Sequence, residues 1–151
     1  MIYVFDTNVL VHLIRQTADV ETQLIRMGCF NPRNQIVISI ASVAEIRAFA
    51  YRNRWGASKI QALDGFLNSV TSIAIDNEWM VDAYVEIDAF SQGKHNTHAL
   101  PIGMTARNMG KNDIWIAATT LLAKGTLVTS DADFEHLDPT FFTVNKIRLS
   151  R

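Results

Sequence analysis

The stretch that decides the fold is Asn112 to Phe134, NDIWIAATTLLAKGTLVTSDADF. It reads as a buried helix opening on Asp113, a turn at Gly125, a short strand from Thr126 to Thr129, and two acids, Asp131 and Asp133, where that strand ends. A helix that packs antiparallel to the strand following it begins at the sheet edge where that strand finishes. Asp113 and Asp131 are therefore expected to face one another across a crevice. Two carboxylates alone could be a helix start and a turn, so the rest of the chain must be asked whether it brings more acids to the same edge.

Upstream, Ile2 to Phe5 is an apolar run without polar alternation, the pattern of a strand covered on both faces, and it halts at Asp6-Thr7-Asn8. Helical spacing follows in Leu10, Leu13 and Ile14, with Asp6 or Thr7 placed to cap the free amides. A second helix, Val20 to Met27, is expected to turn Leu24 and Ile25 inward and to stop at Gly28, before the turn Asn31-Pro32-Arg33-Asn34. Ile36 to Ile40 reads as the second strand. Ser42-Val43-Ala44-Glu45 then matches the S-x-x-E capping box of a helix running to about Ala50, which would place Glu45 in a first turn.

After Gly56, a helix to about Asn68 carries Ile60, Leu63, Phe66 and Leu67 on one face, and Val70 to Ile75 reads as a third strand. Asp76 or Asn77 caps a helix to about Phe90 whose inward stripe is Met80, Ala83, Tyr84 and Ile87. Ser91 to Lys111 is rich in glycine and polar residues and is expected to be a long loop with one helical turn, a kind of segment that tends to be functional or mobile. Beyond Asp133, Phe134 to Leu137 reads as a helical turn and Phe141 to Val144 as an edge strand. Trp115, Ile116 and Leu122 read as core, and Trp55 and Trp79 as core or interface.

Composition bounds the classes. A chain of 151 residues, 48% hydrophobic, suits one domain, residues 1–151, around a single core. The formal charge of -1 supplies no global attraction to a polyanion, so a nucleic acid would need a local basic patch or bound cations. A lone Cys29 excludes an internal disulfide and fits a reduced, cytoplasmic setting. The N-terminus has no basic region ahead of a long apolar run, and no apolar run is long enough to span a bilayer, so no membrane partner is expected.

Alternating apolar strands and amphipathic helices give an α/β fold, a three-layer α/β/α sandwich on a mainly parallel sheet of four to five strands. Right-handed crossovers put each strand's C-terminal end and the next helix's N-terminal end on one edge, where open α/β sheets bind their ligands. Four segments deliver an acid there: Asp6, Glu45, Asp113 and Asp131. Each taken singly has an ordinary account, since an acid at a helix N-terminus gains about 0.3 to 1 kcal/mol from the helix dipole, Glu45 fits a capping box, and Asp131 and Asp133 suit a turn. That account supplies no counter-charge, because no Lys or Arg is interleaved with these segments. Carboxylates gathered within about 4 to 6 Å raise one another's pKa or bind a cation. With only oxygen ligands on offer, Mg2+ or Mn2+ is the economical choice.

The chain resembles a PIN-domain ribonuclease, and within that family a VapC-type toxin of a toxin-antitoxin pair. The resemblance rests on Asp6-Thr7-Asn8 after the first strand, Glu45 in its helix, Asn112-Asp113 followed by Ile116-Ala117-Ala118, and Leu127-Val128-Thr129 running into Asp131 and Asp133-Phe134. It covers essentially the whole chain, in the family's order. It implies a Mg2+-dependent endoribonuclease in which Asp6 and Asp113 ligate the metal, Asp131 completes the site directly or through water, and Glu45 orients or deprotonates the attacking water. Thr7, Asn8, Ser42, Asn112 and Thr129 would be supporting donors. The resemblance also implies an RNA substrate, an antitoxin that docks over the acidic crevice, and often a homodimer.

Two departures stand out. TSDADF offers two acids where the family has one; Asp131 is preferred as nearer the strand end, with Asp133 assisting or capping the next turn. The Ser91 to Lys111 loop is long for the family. Arg47, Arg52, Arg54, Lys94, Arg107 and Lys111 could grip RNA phosphates, although a solvated surface is the commoner fate of such residues. His95 and His98 read as loop surface. A metal-dependent phosphatase or receiver domain fits less well, because residue 8 is Asn rather than an acid and no lysine ends a late strand. A catalytically silent protein- or RNA-binding module on the same scaffold is disfavoured by the full set of four acids.

Overall fold

A computed structural model describes residues 1–149; Ser150 and Arg151, the last two residues of the expected domain, lie outside the described residues. Five strands form one sheet: β1 (Ile2–Phe5), β2 (Gln35–Ser39), β3 (Thr71–Ile73), β4 (Thr126–Thr129) and β5 (Val144–Lys146), in the order β3-β2-β1-β4-β5. Every neighbouring pair is parallel. The register sets Val4 beside Val37 on one side and beside Leu127 on the other.

Side chains alternate between the two faces although the sequence shows no polar alternation, because both faces are covered. Tyr3, Phe5, Ile38 and Val128 pack under helices α1 (Thr7–Ile14), α2 (Val20–Met27), α3 (Ile40–Arg52) and α4 (Ala57–Ser69). Val4, Val37 and Leu127 pack under α5 (Glu78–Ser91), α6 (Lys111–Ala123) and a short 3-10 helix, Ala132–Leu137. This is the expected three-layer sandwich. Gly125 lets the turn from α6 into β4 pass close to β1, since a Cβ there would lie 3.1 Å from both the Ile2 carbonyl oxygen and a Val4 methyl.

Several expectations need correction. Helix α3 begins at Ile40, not Ser42, because β2 ends at Ser39 and the Ser39 hydroxyl already caps the helix by accepting from the Ala41 amide at 3.1 Å. Glu45 therefore sits in the second turn and caps nothing. Ile25 is 58% exposed and Leu122 39% exposed, so neither is core. Trp79, 76% exposed, is surface, while Trp115 is half-buried against Tyr84 with ring centroids 4.4 Å apart. The third strand is shorter than expected. The edge strand starts only at Val144, because Phe141 packs edge-on against Phe90 at 5.0 Å and Phe142 is buried, so both aromatics serve the core rather than the ladder. The segment after Ser91 has no helical turn; it is tied down by the Arg107 amide donating to the Ser91 carbonyl at 2.8 Å and by buried Met109. Among the described residues no helix is long and apolar enough to cross a membrane.

The connectivity places the site. From β1 the chain steps to β2 and β3 on one side, then crosses back to β4 on the other side of β1. The C-terminal ends of β1 and β4 thus flank the point where the winding direction reverses, where a crevice opens in such sheets.

Candidate active site

Asp6 is the first residue past β1, and the Val128 carbonyl accepts its amide proton at 3.0 Å, carrying the β1–β4 pairing up to the acid itself. Its carboxylate is buried. One oxygen, Oδ1, accepts from the Thr7 amide at 2.7 Å and caps α1; the other, Oδ2, accepts from the Thr129 hydroxyl at 2.7 Å. Thr129 Oγ1 in turn accepts from the Asp131 amide at 2.9 Å, and Asp131 Oδ1 accepts from the Asp133 amide at 2.9 Å. One hydroxyl therefore ties the acid after β1 to the acids after β4.

Glu45 arrives from α3, where its Oε1 accepts from the Thr7 hydroxyl at 2.7 Å. Asp113 lies in the first turn of α6, which opens at Gly110 without a side-chain cap. A Cβ at Gly110 would come within 3.6 Å of Asp113 Oδ2, so glycine leaves that carboxylate room. Carboxylate oxygens of Asp113, Asp131 and Asp133 lie within 4.8 Å of one another. Asp6, Thr7, Asn8, Glu45, Asn112 and Asp113 line one cleft of about 500 Å³.

The electrostatics follow from this crowding. Burial, above all, raises Asp6 to about 6 against the bonds from Thr129 and Thr7, and the charges of Asp131 and Glu45 push the same way. Asp113 is raised to about 7, first by burial and then by Asp6, Asp131, Glu45 and Asp133. No Lys or Arg among the described residues is ion-paired to any of these five acids; the recorded pairs are Arg47–Asp64 and Lys146–Glu135, both exposed. An all-oxygen donor set that resists holding its full negative charge fits a hard divalent cation.

The four acids singled out in the sequence thus come together, and Asp133 joins them. Thr7, Asn8, Asn112 and Thr129 are also at the site, whereas Ser42 is not bonded to it: its hydroxyl is buried without a partner. His95 is half-buried, its Nδ1 accepting from the Thr97 and His98 amides, while His98 is exposed. One basic candidate is singled out by its place, and one further feature escaped the sequence reading. Arg52, one of the basic residues named as able to grip phosphates, is exposed and lines the acidic cleft on the same face of α3 as Glu45, in the helical series Glu45, Ala48, Phe49, Arg52. His136 is fully buried, with Nε2 2.7 Å from the Ser91 hydroxyl; burial and then the Arg107 charge lower its pKa to about 4. Its Nδ1 faces the Asp133 backbone without an aligned hydrogen bond, and no local pattern marks a histidine for such a place.

An acid-lined cleft at the switch point of a five-stranded parallel sheet defines a class, and the chain belongs to it: the PIN domain family model matches residues 3–139. Among individual relatives, the chain is similar to Ribonuclease VapC1 of Haemophilus influenzae, with 26% identity over 129 residues that cover 85% of this chain and 86% of that protein. Its fold is similar to a structure of VapBC2 from Rickettsia felis bound to a DNA fragment from its promoter, with a TM-score of 0.72, 22% identity and coverage of 97% and 98% of the two chains. It is also similar in fold to a toxin-antitoxin complex from Klebsiella pneumoniae, with a TM-score of 0.65, 18% identity and coverage of 96% and 99%.

Proposed function

We propose that this protein is a metal-dependent endoribonuclease, the toxin of a toxin-antitoxin pair, that hydrolyses RNA phosphodiester bonds in the acidic cleft. The observation that carries this reading is the gathering of five carboxylates from four separate segments without a basic partner among the described residues. Family membership and the similarity to Ribonuclease VapC1 support ribonuclease chemistry, and the similarity to toxin-antitoxin complexes supports an antitoxin partner; a homodimer is part of the same proposal.

Asp6, Asp113 and Asp131 would hold the cation, Mg2+ or Mn2+, with Asp133 assisting. When bound, the cation offsets charge on the phosphoryl oxygens and favours deprotonation of the attacking water. The remaining work belongs to the chain. Thr129 keeps Asp6 and the Asp131 backbone in fixed relation, so the ligand set is oriented before a cation or substrate arrives. Thr7 pins Glu45 through Oε1, which leaves Oε2 to take the proton of the attacking water. The water oxygen bonds to phosphorus as the bond from phosphorus to the departing ribose oxygen breaks. Asn8 and Asn112, exposed in the cleft, are placed to donate to phosphate or ribose oxygens.

Incubation of the purified chain with a structured RNA carrying single-stranded loops tests the proposal. Cleavage is expected with Mg2+ and is expected to vanish with EDTA, in Asp6→Asn and in Asp113→Asn. RNA cleavage that survived all three changes would remove the metal mechanism.

A further inference from the structure

A cleft walled by carboxylates repels the polyanion it is proposed to cut, and a cation at its acidic end offsets that only locally. The cleft's lining contains one cationic side chain, Arg52. Along α3 the residues facing the cleft are Ala44, Glu45, Ala48, Phe49 and Arg52. Arg52 lies seven positions beyond Glu45, which at 1.5 Å per residue sets it about 10 Å further along the groove and on the same face. Ala44 and Ala48, both exposed, present only methyl groups between them, so the path from the acids to Arg52 is open.

The far end of this path is built rather than loose. Phe49 packs edge-on against Trp55 with centroids 5.9 Å apart, and the Arg15 guanidinium lies over the Phe49 ring at 5.7 Å. Arg52 makes no ion pair among the described residues, in contrast to Arg47, which approaches Asp64 at 4.0 Å. An unpaired guanidinium on the cleft wall, with a second guanidinium held over the neighbouring Phe49 ring, is a combination that holds backbone phosphates by charge-assisted bonds. The cleft, about 500 Å³, has room for part of one strand.

The geometry points to Arg52 as the anchor for a backbone phosphate of single-stranded RNA, one that lies away from the cleaved bond, with Phe49 and Arg15 continuing the track beyond it. This rests on the proposed ribonuclease reading for the identity of the polyanion. It adds a direction: the strand runs from the acids along α3 toward Trp55. Arg52 sets where along the strand the acids act and takes no part in bond breaking.

The test measures binding and cleavage separately. Binding of a short unstructured oligoribonucleotide is followed in the Asp113→Asn protein as salt is varied, with Arg52→Ala, Arg52→Gln, Arg52→Lys and Arg33→Ala added in turn. Arg33 is exposed in the turn before β2, at the opposite end of the sheet, and serves as the control. Arg52→Ala and Arg52→Gln are expected to weaken binding about ten-fold and to reduce the slope of log K against log salt by roughly 0.7, the share of one phosphate contact on a single strand. Arg52→Lys should keep the slope and most of the affinity. In the otherwise unaltered enzyme, Arg52→Ala should raise KM with little change in kcat. A salt slope unmoved by Arg52→Ala, or moved equally by Arg33→Ala, overturns the anchor even if the enzyme cleaves RNA. Loss of slope at Arg52 in a protein that never cleaves upholds the anchor and removes the hydrolytic reading instead.

Discussion

Replacing Asp113 by Asn is expected to destroy activity and yet stabilise the metal-free protein. The Asp113 carboxylate has no hydrogen-bond partner among the described residues, and its pKa is raised from 3.8 to about 7 by burial and by four neighbouring carboxylates. A folded-state pKa above the unfolded one means that stability is greatest when the acid is protonated. It falls as pH rises past 3.8, and the loss is complete above about 7. At about 1.4 kcal/mol per pH unit the gap has an upper bound of about 4 kcal/mol. Asp113 is partly exposed, so solvent screening brings the expected cost to about 1 to 2 kcal/mol. Urea unfolding in EDTA should show Asp113→Asn more stable than the parent by that amount at pH 8, with a smaller margin at pH 5. A divalent ion at about 100 times its dissociation constant should stabilise the parent by about 2.7 kcal/mol, reversing the order. A variant less stable than the parent at pH 8 in EDTA, or a margin that does not widen between pH 5 and pH 8, would refute this account of the acids.

Two further outcomes are expected. Ser42→Ala removes a buried hydroxyl that has no partner and improves helix propensity inside α3, so thermal unfolding should show a gain of about 1 kcal/mol with activity unchanged; a loss of stability would mean that the hydroxyl is bonded after all. Thr129→Val keeps the shape but leaves the Asp131 amide without its acceptor, at a cost of about 1 to 3 kcal/mol, and removes a bond that holds the Asp6 pKa down. NMR titration of the Asp6 carboxyl in EDTA should then find its midpoint above the parental value of about 6, and a midpoint moved downward would contradict the assignment.

The layers and the common edge were legible because covered parallel strands read as apolar runs and because Asp6, Glu45 and Asp131 come soon after β1, β2 and β4. Asp6 and Asp131 were readable because each sits just past a strand, and Asp113 because it opens a helix, places where the sequence pattern changes. Glu45 was found by a wrong route. The S-x-x-E pattern at Ser42 imitates a capping box, but capping depends on where the preceding strand releases the chain, and Ser39 does that job three residues earlier. Arg52 was visible only as one arginine among several, because its role depends on the face it shares with Glu45. The bond from Thr129 to Asp6 spans 123 residues, and the contact of His136 with Ser91 spans 45; no local pattern encodes either. The shift of the last strand to Val144 reflects two phenylalanines whose β-forming character is spent on packing.

The sheet order carries a consequence for the living cell. Until Thr126–Thr129 has left the ribosome, β1 stays open along the side that β4 will occupy, and Asp6 lacks both its Thr129 hydroxyl bond and its acidic neighbours from the end of β4. A growing polypeptide thus carries an incomplete cleft through most of its translation, because the site is assembled only when its closing segment slots in beside the opening one.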